Sequence, residues 1–382
     1  MLTAETVRPS DLTSRDFAAW TALRETAEVF QSPLLSPDFA SAVGRVRPDA
    51  AIAVIRRDGR AVGFLPHHRR PGGLARPIGA PLSDYHALIA EPGLSGMEAM
   101  RLCGLREYRF SGLIDPHQAF PPGAFSAAAE PIDAHAVAIG IGPDAGAEHL
   151  ESLRSASPKR FKNLRRLDHK LEREVGPITL VAPDRDPAVF ATLMSWKRAQ
   201  FCRTGLTNVF AAAWIHQLVH HLFDEGEGRL RGLMITLQVS GKPVAAHFGI
   251  REGERFHPWI ASHDETLAAY SPGQVILWRA IEAMPALGLR WYDLAAGHDH
   301  YKTPYASRKL ELAEGRVRTA PGLEAEVWRL AEAALGVGGV SRVRRRLDQI
   351  ASVELTFEGR LRSIVEAVAT HGRREAARTT GS

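Results

Sequence analysis

Every second position is apolar along residues 233–239 and again along residues 244–250. This period of two predicts half-buried β-strands. Ser240-Gly241 lies between the two runs and predicts a tight turn, and Glu252-Gly253 predicts a second turn into a third strand over residues 256–261. The pattern therefore predicts an antiparallel β-meander.

The tetrapeptide Ser271-Pro272-Gly273-Gln274 follows the meander and predicts the start of a helix. Ser271 is a candidate N-cap, Pro272 suits the first helical position, and Gln274 completes a capping box. Apolar residues at helical spacing over residues 277–284 mark one face, and a short strand is expected over residues 289–294.

A helix start after a strand and a loop can have a chemical use. Its free N–H groups and partial positive charge favour a bound phosphate, and Gly273 has no side chain to obstruct one. Many such tetrapeptides only begin a helix. Both interpretations of the motif stay open from these residues alone.

Similar patterns divide the rest of the chain. Helical spacing is found over residues 16–27, 37–46, 97–103, 158–171, 187–201 and 214–223, and strand patterns over residues 51–55, 61–65, 107–113, 134–141 and 178–181. The hairpin at Asp58-Gly59 shares its turn, basic residue and valine with that at Ser240-Gly241. We interpret this as a weak internal repeat, with a boundary over residues 142–157.

Composition narrows the possible classes of protein. The chain has 382 residues, 45% hydrophobic and 24% charged, which is typical of a globular protein with two or three domains. No apolar run is long enough for a membrane span, and the charged N-terminal residues do not suit a signal peptide. With only two cysteines, a reduced cytoplasmic protein is expected. Neither the His216/His220 pair nor His298-Asp299-His300 has a third ligand, so no metal site is predicted.

The net charge of +5 is concentrated in two places. The helix over residues 158–171 is rich in lysine and arginine; it is either a solvated surface or a guide for an anionic substrate. Residues 342–378 contain nine arginines against five acidic residues. This segment is either a solubilising tail or, through Arg342, Arg344, Arg345 and Arg346, a site for a phosphate-rich regulator such as a cyclic dinucleotide. No nucleic-acid recognition motif is present, so DNA is not an expected partner.

Several of these segments together resemble a known family. The order of strand, loop, glycine helix start and strand resembles the GNAT acyl-CoA N-acyltransferase fold. The segments 241–246 and 270–273, with Asp293-Leu294 and Tyr301-Lys302, are similar to the cellulose-biosynthesis-type acetyltransferases, which are relatives of the Fem aminoacyltransferases. The resemblance covers roughly residues 20–318. The chain departs from the common GNAT phosphate signature, which has more glycines preceded by Arg or Gln.

The resemblance implies a mixed α/β (α+β) fold of two tandem GNAT-like units. Each unit is a mostly antiparallel twisted sheet flanked by helices. The expected domains are a degenerate N-terminal unit over residues 1–150, the acyltransferase unit over residues 151–320, and a helical arginine-rich tail over residues 321–382.

The resemblance also implies the chemistry, direct attack of an amine on an acyl-CoA thioester with acetyl-CoA as the expected donor. Ser271, Pro272, Gly273 and Gln274 would bind the pyrophosphate, and backbone N–H groups near Trp259, Ile260 and Ala261 would stabilise the oxyanion. Tyr301 is the candidate acid that protonates the thiolate. His247 is either the general base or an ordinary core or surface histidine. Asp293 either orients the substrate ammonium or caps its loop.

The acceptor expected from the resemblance is an amino sugar of an exopolysaccharide or its precursor. Candidate acceptor-binding residues are Asp84, Tyr85, Lys197, Gln200 and Lys302. For Asp84 and Tyr85, a simple turn before a strand is an equally open interpretation. Two alternative functions are a Fem-like transferase that uses aminoacyl-tRNA and a non-catalytic, nucleotide-responsive binding protein.

Overall fold

The computed structural model of the chain describes residues 1–121, 130–204, 208–296 and 302–319. The strands are β1 (Leu2–Val7), β2 (Ala50–Arg57), β3 (Arg60–Arg69), β4 (Leu74–Pro77), β5 (Ile89–Ala90), β6 (Glu107–Leu113), β7 (Glu130–Ala138), β8 (Ile178–Val181), β9 (Arg231–Val239), β10 (Lys242–Glu252), β11 (Arg255–His263), β12 (Trp291–Ala296) and β13 (Arg308–Arg318). The α-helices are α1 (Ser14–Arg24), α2 (Pro37–Val46), α3 (Gly96–Leu102), α4 (Ala145–Ala156), α5 (Pro158–Val175), α6 (Pro187–Thr204), α7 (Ala213–Asp224) and α8 (Pro272–Ala283). The predicted tail lies outside the described residues.

Within the described residues, one sheet contains thirteen strands in the order β1-β2-β3-β4-β6-β13-β7-β12-β11-β10-β9-β8, with β5 beside β3. At each edge of the sheet four successive strands pair antiparallel, β1-β2-β3-β4 at one edge and β8-β9-β10-β11 at the other. The next strand inwards then pairs in parallel, β6 with β4 and β12 with β11. The strands β1–β7 and β8–β13 thus form two similar units, called here the first and second unit. The predicted α+β fold of two tandem, mostly antiparallel units is confirmed.

The two units exchange their last strands. Strand β7 of the first unit pairs with β12, and strand β13 of the second unit pairs with β6. The exchanged strands also pair with each other, from Arg308 opposite Ala136 to Glu314 opposite Glu130. The predicted domain limits at residues 150 and 320 stay predictions, and helix α4 lies across the first of them.

The two hairpins that suggested a repeat occupy equivalent positions, β2–β3 and β9–β10. Both turns have positive φ at two successive residues, 50° and 80° at Asp58 and Gly59 and 50° and 77° at Ser240 and Gly241. Two positive φ values match the right-handed twist of the flanking strands, which favours glycine at the second position.

The strands of the second unit are covered on both faces. Met234 of β9 packs with α2, α6 and α7 in one core, whereas Leu233 and Ile235 pack with α4, α5 and α8 in another. The prediction of half-buried strands is therefore wrong for β9, in which only Arg231 and Gln238 are not fully buried. Helices on both faces explain the difference, because the alternate positions then face a second core instead of water.

No helix of the described residues is both long and apolar enough to cross a membrane.

Candidate functional site

Strands β11 and β12 separate to form a cleft in the second unit. They pair in parallel only at Arg255–Trp291 and Phe256–Tyr292, after which β11 continues to His263 beside β10 alone. A β-bulge at Trp259 accompanies the separation, since Phe248 is opposite Ile260 but Gly249 is opposite Pro258. A bulge bends its strand and increases the local twist. The result is a cavity of about 550 Å³ between the two strands.

The cavity brings together most of the residues predicted from the sequence, although these are far apart along the chain. Its lining includes the predicted residues Asp84, Lys197, Gln200, His247, Trp259, Ala261, Ser271, Gly273, Gln274, Asp293 and Lys302. Of the other predictions, Ile260 and Pro272 are buried away from the cavity, whereas Tyr301 and Arg342, Arg344, Arg345 and Arg346 lie outside the described residues.

The start of helix α8 forms one end of the cavity, but the predicted cap is wrong. Ser271 has left-handed φ and ψ of 52° and 51°, and its side chain makes no capping hydrogen bond. Its carbonyl instead accepts the N–H groups of Gln274 and Val275 at 2.9 and 3.2 Å. The left-handed residue that ends the preceding 3₁₀ helix Glu265–Tyr270 displaces the hydroxyl from capping geometry.

The helix start fits a bound phosphate. Within the described residues the Gly273 N–H has no hydrogen-bond acceptor, and a Cβ built on Gly273 would meet only His263 Nδ1, at 3.6 Å. The polar atoms Gln200 Oε1 and Trp259 Nε1 are also buried beside the cavity without a partner in the described structure. The helix end thus offers an open donor and a partial positive charge to an anion.

The unpaired edge of β11 supplies backbone groups to the cavity. Asp264 N–H donates to Val244 O of β10 at 2.9 Å, so strand alternation directs the N–H and C=O of Ala261 to the opposite edge. Lys197 of α6 donates to Ala261 O at 3.3 Å. The side chain of Ile260 lies in the core, and the same alternation directs its N–H and C=O to β10. Ile260, which was expected near the oxyanion, therefore presents no group to the cavity.

A charge cluster of Asp84, Tyr85, His257 and Asp293 lies at the inner end of the cavity. His257 Nε2 donates to Asp84 Oδ2 at 2.9 Å, and its Nδ1 lies 3.5 Å from Asp293 Oδ2. Burial disfavours the imidazolium, but the two carboxylates outweigh it and raise the pKa of His257 to about 10. Burial would raise the pKa of Asp293, but the His257 charge and hydrogen bonds lower it.

The carboxylate of Asp293 accepts hydrogen bonds from other groups of the protein. Its Oδ1 accepts the Tyr85 hydroxyl at 2.6 Å and the Ala295 N–H at 2.6 Å. Ala295 has a positive φ of 61°, next to the register shift between β12 and β7. These contacts favour the interpretation that Asp293 caps its loop. Tyr85 is buried beside it, and this burial together with the Asp293 charge raises the pKa of Tyr85.

His247 lies on the other side of the cavity. Its Nδ1 is hydrogen-bonded to the Tyr292 hydroxyl. Burial, with the nearby positive charge of Lys197, lowers the pKa of His247 to about 4, so the imidazole is neutral at neutral pH. Lys302, at the cavity edge, donates to Ala296 O at 2.9 Å.

The equivalent helix start of the first unit is closed. Helix α3 begins at Gly96 between β4 and β6, as α8 begins between β11 and β12. A Cβ built on Gly96 would lie 2.4 Å from the Phe120 ring, which is itself buried. In the first unit the Phe120 ring therefore fills the space above Gly96, whereas the equivalent space above Gly273 in the second unit is open.

His257 is the cluster residue that the sequence did not reveal. It lies in an apolar strand pattern, and its partner Asp84 is 173 positions away. The sequence did contain one indication, the presence of a histidine in an apolar strand pattern, because a buried histidine needs polar partners.

Comparison with known proteins agrees with this geometry. Residues 158–303 match the model of the acetyltransferase (GNAT) domain. The structure is similar to that of FemX, with a TM-score of 0.54, 10% identity, and coverage of 86% of this chain and 100% of FemX. It is also similar to a conserved protein of unknown function from Bacteroides thetaiotaomicron, with a TM-score of 0.51, 14% identity, and coverage of 83% and 100%. No curated protein matches the chain significantly.

Residues 158–303 are therefore similar to a GNAT acetyltransferase domain, and the split sheet agrees with this similarity. At such low identities the structural neighbours show the fold alone. The predicted GNAT resemblance is confirmed at this level, while the cellulose-biosynthesis branch stays a prediction.

Proposed function

We propose that the chain transfers an acyl group, with acetyl-CoA as the expected donor, to the amine of an acceptor in the β11–β12 cleft. The observation that carries the proposal is the opening of these two strands directly beside the unobstructed start of α8. The helix start suits a pyrophosphate, and the gap between the strands suits an extended pantetheine arm.

In the proposed reaction the amine nitrogen attacks the thioester carbonyl. An acceptor that binds as an ammonium first releases one proton to solvent and becomes a neutral amine. The N–C bond then forms, the C–S bond breaks, the amine nitrogen loses a second proton and the thiolate gains one. The Ala261 N–H at the unpaired edge of β11 is our candidate donor to the oxyanion. Neutral His247 is our candidate proton acceptor, and Tyr301, outside the described residues, stays the candidate acid.

The finer assignments concern the acceptor and its regulation. The resemblance suggests an amino sugar of an exopolysaccharide or its precursor as the acceptor. Regulation by a cyclic dinucleotide rests instead on the arginine cluster Arg342, Arg344, Arg345 and Arg346, because guanidinium groups bind phosphates with fork geometry. A cytoplasmic location is also proposed, since both cysteines are free thiols.

Calorimetric titration of acetyl-CoA tests the donor site. Wild type is expected to bind, whereas Gly273→Arg is expected to lose binding because the new side chain fills the space needed by the pyrophosphate. Gly140→Arg is the matched control, because Gly140 is exposed and a Cβ added there would meet no atom within 4 Å. Failure of wild type to bind, or equal binding by all three proteins, would reject the proposed donor site.

A further inference from the structure

The charge cluster at the inner end of the cleft has a role that the donor site does not explain. We propose that His257 is a positioning residue that fixes Asp84 so that its carboxylate binds the ammonium group of the acceptor. This inference rests on the proposed function and assigns the chemistry of its acceptor subsite.

The cluster joins the two units at the cleft. Asp84 and Tyr85 come from the first unit, whereas His257 and Asp293 come from β11 and β12 of the second. His257 is fully buried and contacts both carboxylates, and its ring also meets that of Tyr85 edge to face at 5.3 Å. A displacement of His257 would therefore release Asp84 from the second unit.

Asp84 is the member of the cluster that a ligand can reach. Its side chain is 36% exposed, against 4% for Asp293, and its Oδ1 has no protein partner in the described structure. Within the cluster itself, two carboxylates face one imidazolium, and this local excess of negative charge at Asp84 favours a cation. The two lysines of the cavity lining donate instead to backbone carbonyls, Lys197 to Ala261 O and Lys302 to Ala296 O. The nearby Arg255 is directed to other groups, Glu28 at 3.6 Å and the Trp291 ring at 4.4 Å.

The backbone that carries Asp84 is fixed on its other side by β6. His86 N–H donates to Gly112 O at 2.8 Å, and Ile114 N–H donates to His86 O at 2.7 Å. A Cβ on Gly112 would lie 1.9 Å from Asp84 O, so only glycine permits this approach. Binding sites need such supported side chains, because a carboxylate that moves freely loses its orientation.

The first test compares the binding of glucosamine, a cationic probe, with that of glucose, a neutral one. Wild type is expected to bind glucosamine at least tenfold more tightly than glucose. His257→Gln and Asp84→Asn are each expected to lose most of this preference while binding acetyl-CoA as wild type does. His216→Gln, on the exposed face of α7, is the matched control and should keep the preference.

A double-mutant cycle separates positioning from independent contributions. If His257 acts through Asp84, the double variant should lose no more of the preference than Asp84→Asn alone. Where glucosamine is acetylated, His257→Gln should raise the KM for the amine about tenfold with kcat changed less than threefold. Additive losses, or a fall in kcat alone, would contradict a positioning role.

Imidazole ¹⁵N spectra give a readout that does not depend on turnover. His257 should stay doubly protonated at pH 8 in wild type and lose that signature in Asp84→Asn. An absent glucosamine preference in wild type, or an unchanged preference in His257→Gln, overturns this inference. Failure of acetyl-CoA to bind instead rejects the proposed donor site, so the two failures are distinguishable.

Discussion

Arg24 of helix α1 and Glu252 of strand β10 form a buried, bidentate ion pair between the two units. Arg24 Nη2 lies 2.6 Å from Glu252 Oε2, and Nη1 lies 3.0 Å from Oε1. Both side chains are only 7% exposed, and Arg24 also donates to the carbonyls of Phe30, Gln31 and Ser32. The guanidinium thus ties the loop after α1 to the second unit.

Replacing one member of this pair should destabilise the protein strongly. Arg24→Met is expected to lower the free energy of unfolding by about 3–5 kcal/mol, because it leaves Glu252 buried and unpaired. Urea denaturation measures the change. The double variant Arg24→Met/Glu252→Leu should recover part of the loss, and a single-variant loss below about 1 kcal/mol would show that the pair is unimportant.

The pKa of His257 predicts a pH dependence of stability. A pKa raised from 6.5 to about 10 means that the native state holds a proton that the unfolded state releases. The stabilisation is therefore complete below pH 6.5 and is lost as the pH rises towards 10. Unfolding measured at intervals from pH 6 to pH 10 should show the advantage of wild type over His257→Gln shrinking, and an advantage that grows with pH would contradict the assignment.

Gly112→Ala should displace the backbone of Asp84 and thereby disturb the acceptor side of the cleft. The new methyl group collides with Asp84 O, and relieving such overpacking typically costs about 1–3 kcal/mol. Thermal unfolding should show this loss, and the preference for glucosamine should weaken while acetyl-CoA binding is kept. Gly140→Ala, in open space, is the matched control, and identical behaviour of the two variants would refute the role of this contact.

The corrected geometry of Ser271 predicts a mild effect of removing its hydroxyl. Ser271→Ala should change the free energy of unfolding by less than about 0.5 kcal/mol, since no capping bond is lost. Ser36→Ala is the comparison, because Ser36 Oγ accepts the Phe39 N–H at 3.0 Å and caps α2. That variant should lose about 1 kcal/mol in the same urea titrations. Equal losses would restore Ser271 as a cap.

Local pattern was sufficient for much of the second unit. The turns at Ser240-Gly241 and Glu252-Gly253 and the start of α8 at Pro272 are where the sequence placed them, because glycine and proline restrict the backbone directly. The resemblance then grouped residues from seven segments that do line one cavity. Their individual roles stay predictions.

The pairing of strands from distant parts of the chain could not be predicted from local sequence patterns. Strand β1 was not among the predicted strands, and the segment that contains α4 was expected to be a boundary, because neither has a clear apolar period. The exchange of β7 and β13 depends on pairing between residues more than 150 positions apart, as with Arg308 and Ala136. His257 escaped notice for the same reason, since its partners belong to distant segments.

The exchange of β7 and β13 limits how this protein can move. A hinge between the units would shear the hydrogen-bonded ladders β7–β12, β13–β6 and β13–β7 together. Many two-lobed proteins close on a substrate by rotating one lobe against the other. In this chain Asp84 lies in the loop between β4 and β5 and His257 lies on β11, and the units that carry them share one continuous sheet. The acceptor subsite is therefore preassembled, and any induced fit has to come from side chains and loops at its entrance.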